Sequence, residues 1–293
     1  MSEKKHVIID GSGLEYGNSI TCGLLIPYIL KKSGNFHVTL YSKIDFGEEL
    51  RNVMADEFIL QLKNRNPEHY EEKNNIEILF NQACADRLVL PEHIESIPFV
   101  GKQNPMQEPY VVFIPVVYGH LGEYVHWRTV HALDFDVWEK LKRFVNDKGY
   151  KVVGFGTSHS STKEHLEELS DKAFWFDMGG KDLQDFYNVR HINQMTPFQL
   201  EWMYFARTSV SLGGAFHVPM SFTVPGMGWD GQVDSNYDAW DKFLSFKRKD
   251  LFYLPHLDSL GRTFKMVNGK ENDHKIVQEF LLYIIKNKLE QLL

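Results

Sequence analysis

The sequence predicts an α/β protein made of two successive halves, each built on a doubly wound parallel sheet. Three observations carry this. A β-branched run, His6-Val-Ile-Ile-Asp10, is followed by a glycine turn, a helical pattern over Gly17–Lys32 and a second run, His37-Val-Thr-Leu-Tyr41. That β-α-β order within about 35 residues is the unit of a parallel sheet. A polar segment with two prolines, Gly101–Pro109 (GKQNPMQEP), then breaks the pattern. Beyond it the order begins again with the apolar run Tyr110-Val-Val-Phe-Ile-Pro115. A single interrupted sheet is the competing reading.

Each element has its own warrant. In 17–32, Ile20, Leu24, Leu25, Tyr28 and Ile29 recur at helical spacing. Ile76–Phe80 and Arg87–Leu90 are short strand patterns that would complete the first half. In the second half, Phe135–Lys148 is amphipathic and stops at Gly149, a residue that readily ends helices. Tyr150–Phe155, Ala173–Phe176, Ser209–Leu212 and Ser221–Val224 read as strands. Pro197 is placed to open a helix running to about Ala206, because a first-turn position needs no backbone N–H. Asp273–Leu293 is a strongly apolar amphipathic helix. The halves are assigned as 1–108 and 109–272, with the terminal helix 273–293 expected to pack back on the first.

Composition bounds the function. The chain has 293 residues, 43% of them hydrophobic and 24% charged, with a formal net charge of −7. An acidic chain is not held to nucleic acid by bulk electrostatics. The excess lies mostly in residues 1–108, with 11 Lys and Arg against 16 Asp and Glu. Lys242–Lys249 (KFLSFKRK) is a local basic cluster, read first as a solvated helix end. Apolar runs fall short of the roughly 20 residues that span a bilayer. Two cysteines, Cys22 and Cys84, make neither a disulfide framework nor a structural zinc site, which points to the reducing cytoplasm.

Five loops carry groups suited to chemistry. Asp10-Gly-Ser-Gly-Leu-Glu-Tyr-Gly17 lies between the first strand and the first helix. Its glycines let main chain approach a ligand, and either Asp10 or Glu15 could take a proton from an acceptor hydroxyl; turn capping by Asp10 is the structural alternative. Gly11, Ser12, Gly13, Tyr16 and Asn18 are the candidate acceptor contacts. The turn lacks the third glycine of a dinucleotide fingerprint, and no Gly-Lys-Ser/Thr follows. Tyr118–Thr129 brings together His126, Trp127 and Arg128, of which His126 or Arg128 could hold a phosphate oxygen. The spacing of His120, His126 and His131 does not demand a metal, and none is expected. Gly154–Thr162 (GFGTSHSST) offers Gly154 and Thr157, and Asp177-Met-Gly-Gly180 offers Gly179 and Gly180. Finally, Gly213-Gly214 ends a strand and Ala215 opens a short helix carrying His217 in its first turn, stopped by Pro219. A diphosphate would meet bare main chain there. The segment Pro225-Gly-Met-Gly-Trp-Asp230 reads as an aromatic loop able to close over a sugar or a base.

These pieces occur in a recognisable order. The stretches HWRTVHALDFDVWEKLKRFVNDKGYKVVGFG (126–156) and MTPFQLEWMYFARTSVSLGGAFHVPMSFTVPG (195–226) resemble the carboxyl-terminal domain of the lipopolysaccharide heptosyltransferase family. That family has the GT-B fold, two Rossmann-like domains facing a central cleft. Leu200, Ala206, Gly214 and His217 match its pattern, and the glycine turn before the proline-bearing helix at 7–30 is similar to its N-terminal motif. Three positions depart. Leu212 stands where the family has an acid. Its first-loop aspartate has no direct match, with Glu15, Asn18 and Asp10 nearby. Its loop lysine is absent, with His126 and Arg128 the nearest replacements.

The resemblance implies a glycosyltransferase with no resident cofactor. A nucleotide-diphosphate sugar would be its co-substrate, bound by the second half, and a saccharide or lipid-linked glycan would be acceptor on the first. It also implies independence of metal and inversion at the sugar carbon. Two alternatives remain from the residues: a viral enzyme modifying hydroxymethylated bases in DNA in the host cytoplasm, and a non-catalytic nucleotide-binding protein of the same fold.

Overall fold

The computed structural model describes residues 4–12, 16–61, 76–79, 97–119, 132–178, 186–212, 217–222, 224–229, 251–253 and 272–293. The first half contains β1 (Lys5–Gly11), α1 (Tyr16–Lys32), β2 (Phe36–Ser42), α2 (Glu48–Met54), β3 (Glu57–Leu60) and β4 (Ile76–Leu79). The second contains β5 (Tyr110–Phe113), α3 (Phe135–Asp147), β6 (Lys151–Thr157), α4 (Lys163–Leu169), β7 (Lys172–Phe176), α5 (Phe186–Phe205), β8 (Thr208–Leu212), α6 (His217–Phe222), β9 (Gly226–Trp229) and β10 (Leu251–Tyr253). Helix α7 (Asn272–Leu292) ends the chain.

Among the described residues two sheets form, not one interrupted sheet, and every pairing in them is parallel. The first has the order β3-β2-β1-β4 and the second β10-β9-β8-β5-β6-β7. Counting strands within the second half, its order is the 3-2-1-4-5-6 of a complete Rossmann sheet; the first half repeats the opening 3-2-1-4. In each sheet the chain winds outward from a central strand and then crosses to that strand's other side.

Burial follows from this winding. Tyr110, Val111, Val112 and Phe113 are all buried because helices cover both faces of β5. Val111 and Phe113 pack with Trp138 and Leu141 of α3 and with Leu281 and Ile285 of α7. Tyr110 and Val112 belong to a second cluster with Leu200 and Trp202 of α5 and Val218 and Phe222 of α6. That cluster also takes in Ile9, Leu24, Val38 and Leu40 of the first half, and α1 packs directly on α6.

Several expectations are corrected. Helix α5 begins at Phe186, so Pro197 lies inside it. Buried Ile192 and Met195 hold the upstream turns in place despite the missing backbone N–H. Pro219 does not stop α6, because it is the third residue of that helix, where an N–H has no helical partner anyway. The strand expected at 221–224 is therefore the end of α6, and the strand is Gly226–Trp229, read from sequence as a loop. Among the described residues, the buried face of α7 packs on the second half, not on the first. Helices α2 and α4 and strand β3 carry no pattern long enough to have been anticipated. The strand pattern at 87–90 and the basic cluster at 242–249 lie outside the described residues.

Candidate active site

The winding order decides where a ligand can sit. In open parallel sheets, ligands bind beyond the carboxyl ends of the strands, at the point where strand order reverses. In the second sheet that point lies between β5 and β8. The loop after β5 leads to the segment bearing His126 and Arg128. Gly213, Gly214 and Ala215 follow β8 directly in sequence. These segments are about 90 residues apart in sequence, yet they leave adjacent strands, since Val111, Val112 and Phe113 pair with Thr208, Ser209 and Val210. In the first sheet the reversal lies between β1 and β4, and the turn leaving β1 is the one bearing Asp10 and Glu15.

Around the β1 turn, Asp10 is 5% exposed, and its Oδ1 accepts from the Ser12 N–H at 3.0 Å and from the Ser12 hydroxyl at 2.6 Å. This is the capping arrangement, with the carboxylate shaping the turn. Gly11 is the last residue of β1, opposite Ser42. Tyr16 starts α1, and its hydroxyl donates to Oε1 of Gln199 on α5. Desolvation pushes the Tyr16 phenol well above its ordinary value of 10, and a side-chain hydrogen bond with Thr196 acts in the other direction. Gly13 and Glu15 lie outside the described residues, as does the side chain of Asn18.

The ends of the β5 loop are closely tied. Val117 bridges Leu133, the Tyr118 N–H donates to the Leu133 carbonyl at 2.9 Å, and the Leu133 N–H donates to the Val116 carbonyl at 3.1 Å. Helix α7 adds Gln278, buried, which accepts from the Asp134 N–H at 3.0 Å and donates to the Ala132 carbonyl at 3.3 Å. His274 contacts Asp134 Oδ1 at 2.8 Å. The terminal helix thus anchors the base of this loop, a function its apolar periodicity did not announce. His126 and Arg128 themselves are not among the described residues.

After β6, Thr157 closes a hydroxyl-rich turn. Its N–H donates to Ser160 Oγ at 3.1 Å, and its Oγ1 accepts from the His159 N–H at 3.3 Å. Thr162 caps α4, accepting from the His165 N–H at 3.0 Å. Ser158 Oγ accepts from the Met178 N–H at 2.9 Å, which joins the ends of β6 and β7. Gly154 is not part of this turn. It lies inside β6, where a Cβ would stand 2.7 Å from Ser170 Oγ and 2.9 Å from Leu166 Cδ1. Its bareness serves the packing of α4, and the expected ligand contact is withdrawn. Gly179, Gly180, Gly213, Gly214 and Ala215 are outside the described residues; His217 begins α6, and its side chain is not described.

Sequence reasoning missed the polar row on α5. Asn193 Oδ1 accepts from the Asp45 N–H at 2.9 Å, and its Nδ2 donates to the Lys43 carbonyl at 2.9 Å. Thr196 and Gln199 follow at intervals of three, both buried. The signal was present as polar residues on one face of a helix. Only the neighbouring half explains their burial.

Two parallel sheets in series, the second with the full Rossmann strand order, define the class: an α/β protein of two doubly wound halves. No family model matches the chain, and no curated protein matches its sequence. Among solved structures it is similar to a glycosyl transferase family 9 protein from Veillonella parvula, at 14% identity over 97% of this chain and 99% of that one, with a TM-score of 0.48. It is likewise similar to the E. coli ADP-heptose lipopolysaccharide heptosyltransferase II, at 12% identity over 98% of each chain and a TM-score of 0.49. A third is E. coli heptosyltransferase WaaC with ADP, at 10% identity over 89% of this chain and 97% of that one, with a TM-score of 0.40. Likeness of this depth leaves function to be argued from the residues. Among the described residues, no helix is long and apolar enough to cross a membrane, and no cluster of three His, Cys, Asp or Glu side chains could hold a metal ion.

Proposed function

We propose that the chain is a glycosyltransferase that moves a sugar from a nucleotide-diphosphate donor to an acceptor hydroxyl. The carrying observation is the coincidence of the sequence-selected loops with the two winding reversals: β5 and β8 in one sheet, β1 in the other. The donor diphosphate is assigned to the main chain of Gly213, Gly214 and Ala215. Arg128, with His126 and His217, offsets the charge that develops as the diphosphate leaves, without a metal. The acceptor lies against the β1 turn. Because the two hydrogen bonds from Ser12 fix Asp10 as the shaper of that turn, Glu15 is assigned as base. The acceptor oxygen gives its proton to Glu15 and bonds to the sugar's anomeric carbon. The bond from that carbon to the diphosphate oxygen breaks, and the nucleoside diphosphate departs with the electron pair. Direct displacement inverts the carbon. A saccharide or lipid-linked glycan is the acceptor class that the motif resemblance favours.

The test is a thermal-shift screen with ADP, UDP, GDP, CDP and dTDP, followed by incubation with the sugar conjugates of whichever stabilises. A ligand that binds only the folded chain raises its Tm. One nucleotide should raise Tm, Arg128→Ala and His217→Ala should abolish the rise, and its sugar conjugate should release nucleoside diphosphate when acceptor is present. A shift that survives both substitutions places the donor elsewhere. Binding without turnover favours a non-catalytic nucleotide-binding protein.

A further inference from the structure

We infer that Tyr16 is a positioning residue, whose hydrogen bond to Gln199 sets the catalytic turn of the first half against the donor half. The inference rests on the reading of residues 10–16 as the acceptor-side turn and deepens it.

Three observations carry it. Tyr16 is the first residue of α1 and follows the turn directly, so only three residues separate it from Ser12. The described residues on either side of 13–15 are therefore both held, Ser12 by Asp10 and Tyr16 by α5. Gln199 is 2% exposed, and its helix leads through Arg207 into β8, the strand that ends at the proposed diphosphate site. The same helix also grips the chain after β2, where Asn193 binds the Lys43 carbonyl and the Asp45 N–H.

An apolar pair at 16 and 199 would hold two buried surfaces together without the cost of desolvating a phenol and an amide. What the polar pair adds is direction, because a hydrogen bond weakens steeply when its geometry slips whereas apolar contact tolerates sliding. The sequence places that directional contact at the residue next to Glu15. The acceptor face expected for the Tyr16 hydroxyl is thus replaced by a role one step removed from the substrate.

The experiment compares hydrogen exchange in Tyr16→Phe, Gln199→Leu, the double variant and Gln199→Glu, which keeps an acceptor oxygen. Removing one net hydrogen bond should speed exchange of the 10–17 peptide by about 2- to 12-fold in Gln199→Leu, and Tyr16→Phe, which also loses the contact with Thr196, should be at least as fast. Peptides from β5 and β6 should be unchanged. The double variant should be no faster than the faster single, and Gln199→Glu should restore the slow rate. With a turning-over donor in hand, Tyr16→Phe should lower kcat and leave the donor KM unchanged. Unchanged exchange at 10–17, or an equal rise across all peptides, overturns the inference. If no donor is turned over by the unmodified protein, the glycosyltransferase reading fails while the exchange result still decides whether Tyr16 fixes the turn. Should Tyr16→Phe not fold, the contrast between Gln199→Leu and Gln199→Glu carries the test.

Discussion

Pro219 of α6 lies against Gly226 of β9 so closely that a Cβ on Gly226 would stand 2.7 Å from the proline Cγ and 2.8 Å from its Cβ. Both atoms belong to a rigid ring, so neither can swing aside. Gly226→Ala should cost about 1–3 kcal/mol, as other overpacked sites do. It should also weaken nucleoside diphosphate binding, because α6 would be pushed away from the end of β8. Chemical denaturation measures the first effect and the ligand-induced Tm shift the second.

The hydroxyl of Ser209, on the strand beside Gly226, is buried and has no hydrogen-bond partner among the described residues; that of Ser211 is in the same condition. A buried unsatisfied hydroxyl is costly, on the order of 1–3 kcal/mol. Ser209→Ala should therefore raise stability, by about 1 kcal/mol after allowing for lost packing. A measured loss of more than that amount would mean the hydroxyl has a partner in solution.

Stability should fall on the alkaline side. Burial raises the phenols of Tyr16 and Tyr110 well above 10, with Glu201 adding to the effect on Tyr110. The folded state then keeps protons that the unfolded chain loses above pH 10. The stabilising contribution is complete below pH 10 and diminishes as pH rises from there towards the raised folded values. At pH 11 the loss through Tyr16 should be about 1 kcal/mol. Urea midpoints at pH 8 and pH 11 should differ less in Tyr16→Phe than in the unmodified protein.

Leu281 sits at the centre of the buried face of α7, against α3 and β5. Leu281→Ala should lower stability by about 2–5 kcal/mol, the range for core truncations. Because Gln278 is on the same helix and holds the chain at Ala132 and Asp134, the variant should also reduce the nucleotide-induced Tm shift. A fully stable variant would detach α7 from the second half.

Much of the fold was legible from local pattern. The runs at β1, β2, β5, β6, β7 and β8, and the helices at 17–32, 135–148 and 273–293, declare themselves by period. The turn at Gly149, with φ of 84°, was also readable, since few residues but glycine adopt that backbone easily. Short elements such as α2, α4 and β3 were not, because seven residues or fewer carry about two turns of signal. Pro197 and Pro219 misled for one reason: a proline marks a missing N–H, and only packing shows whether that gap falls at a helix end or within it. Gly154 and Gly226 misled similarly, since a bare backbone suits a helix as well as a ligand.

The sequence alone determined that this chain would form two parallel α/β halves, each opening on a short apolar strand. Hydrophobic period and glycine placement are local properties, and a linear chain displays them. Only the tertiary structure decided which loops become neighbours, because strand order depends on which edge each crossover returns to. It also decided that Tyr16 faces Gln199 and that α7 anchors the loop after β5, since both contacts join groups distant along the chain.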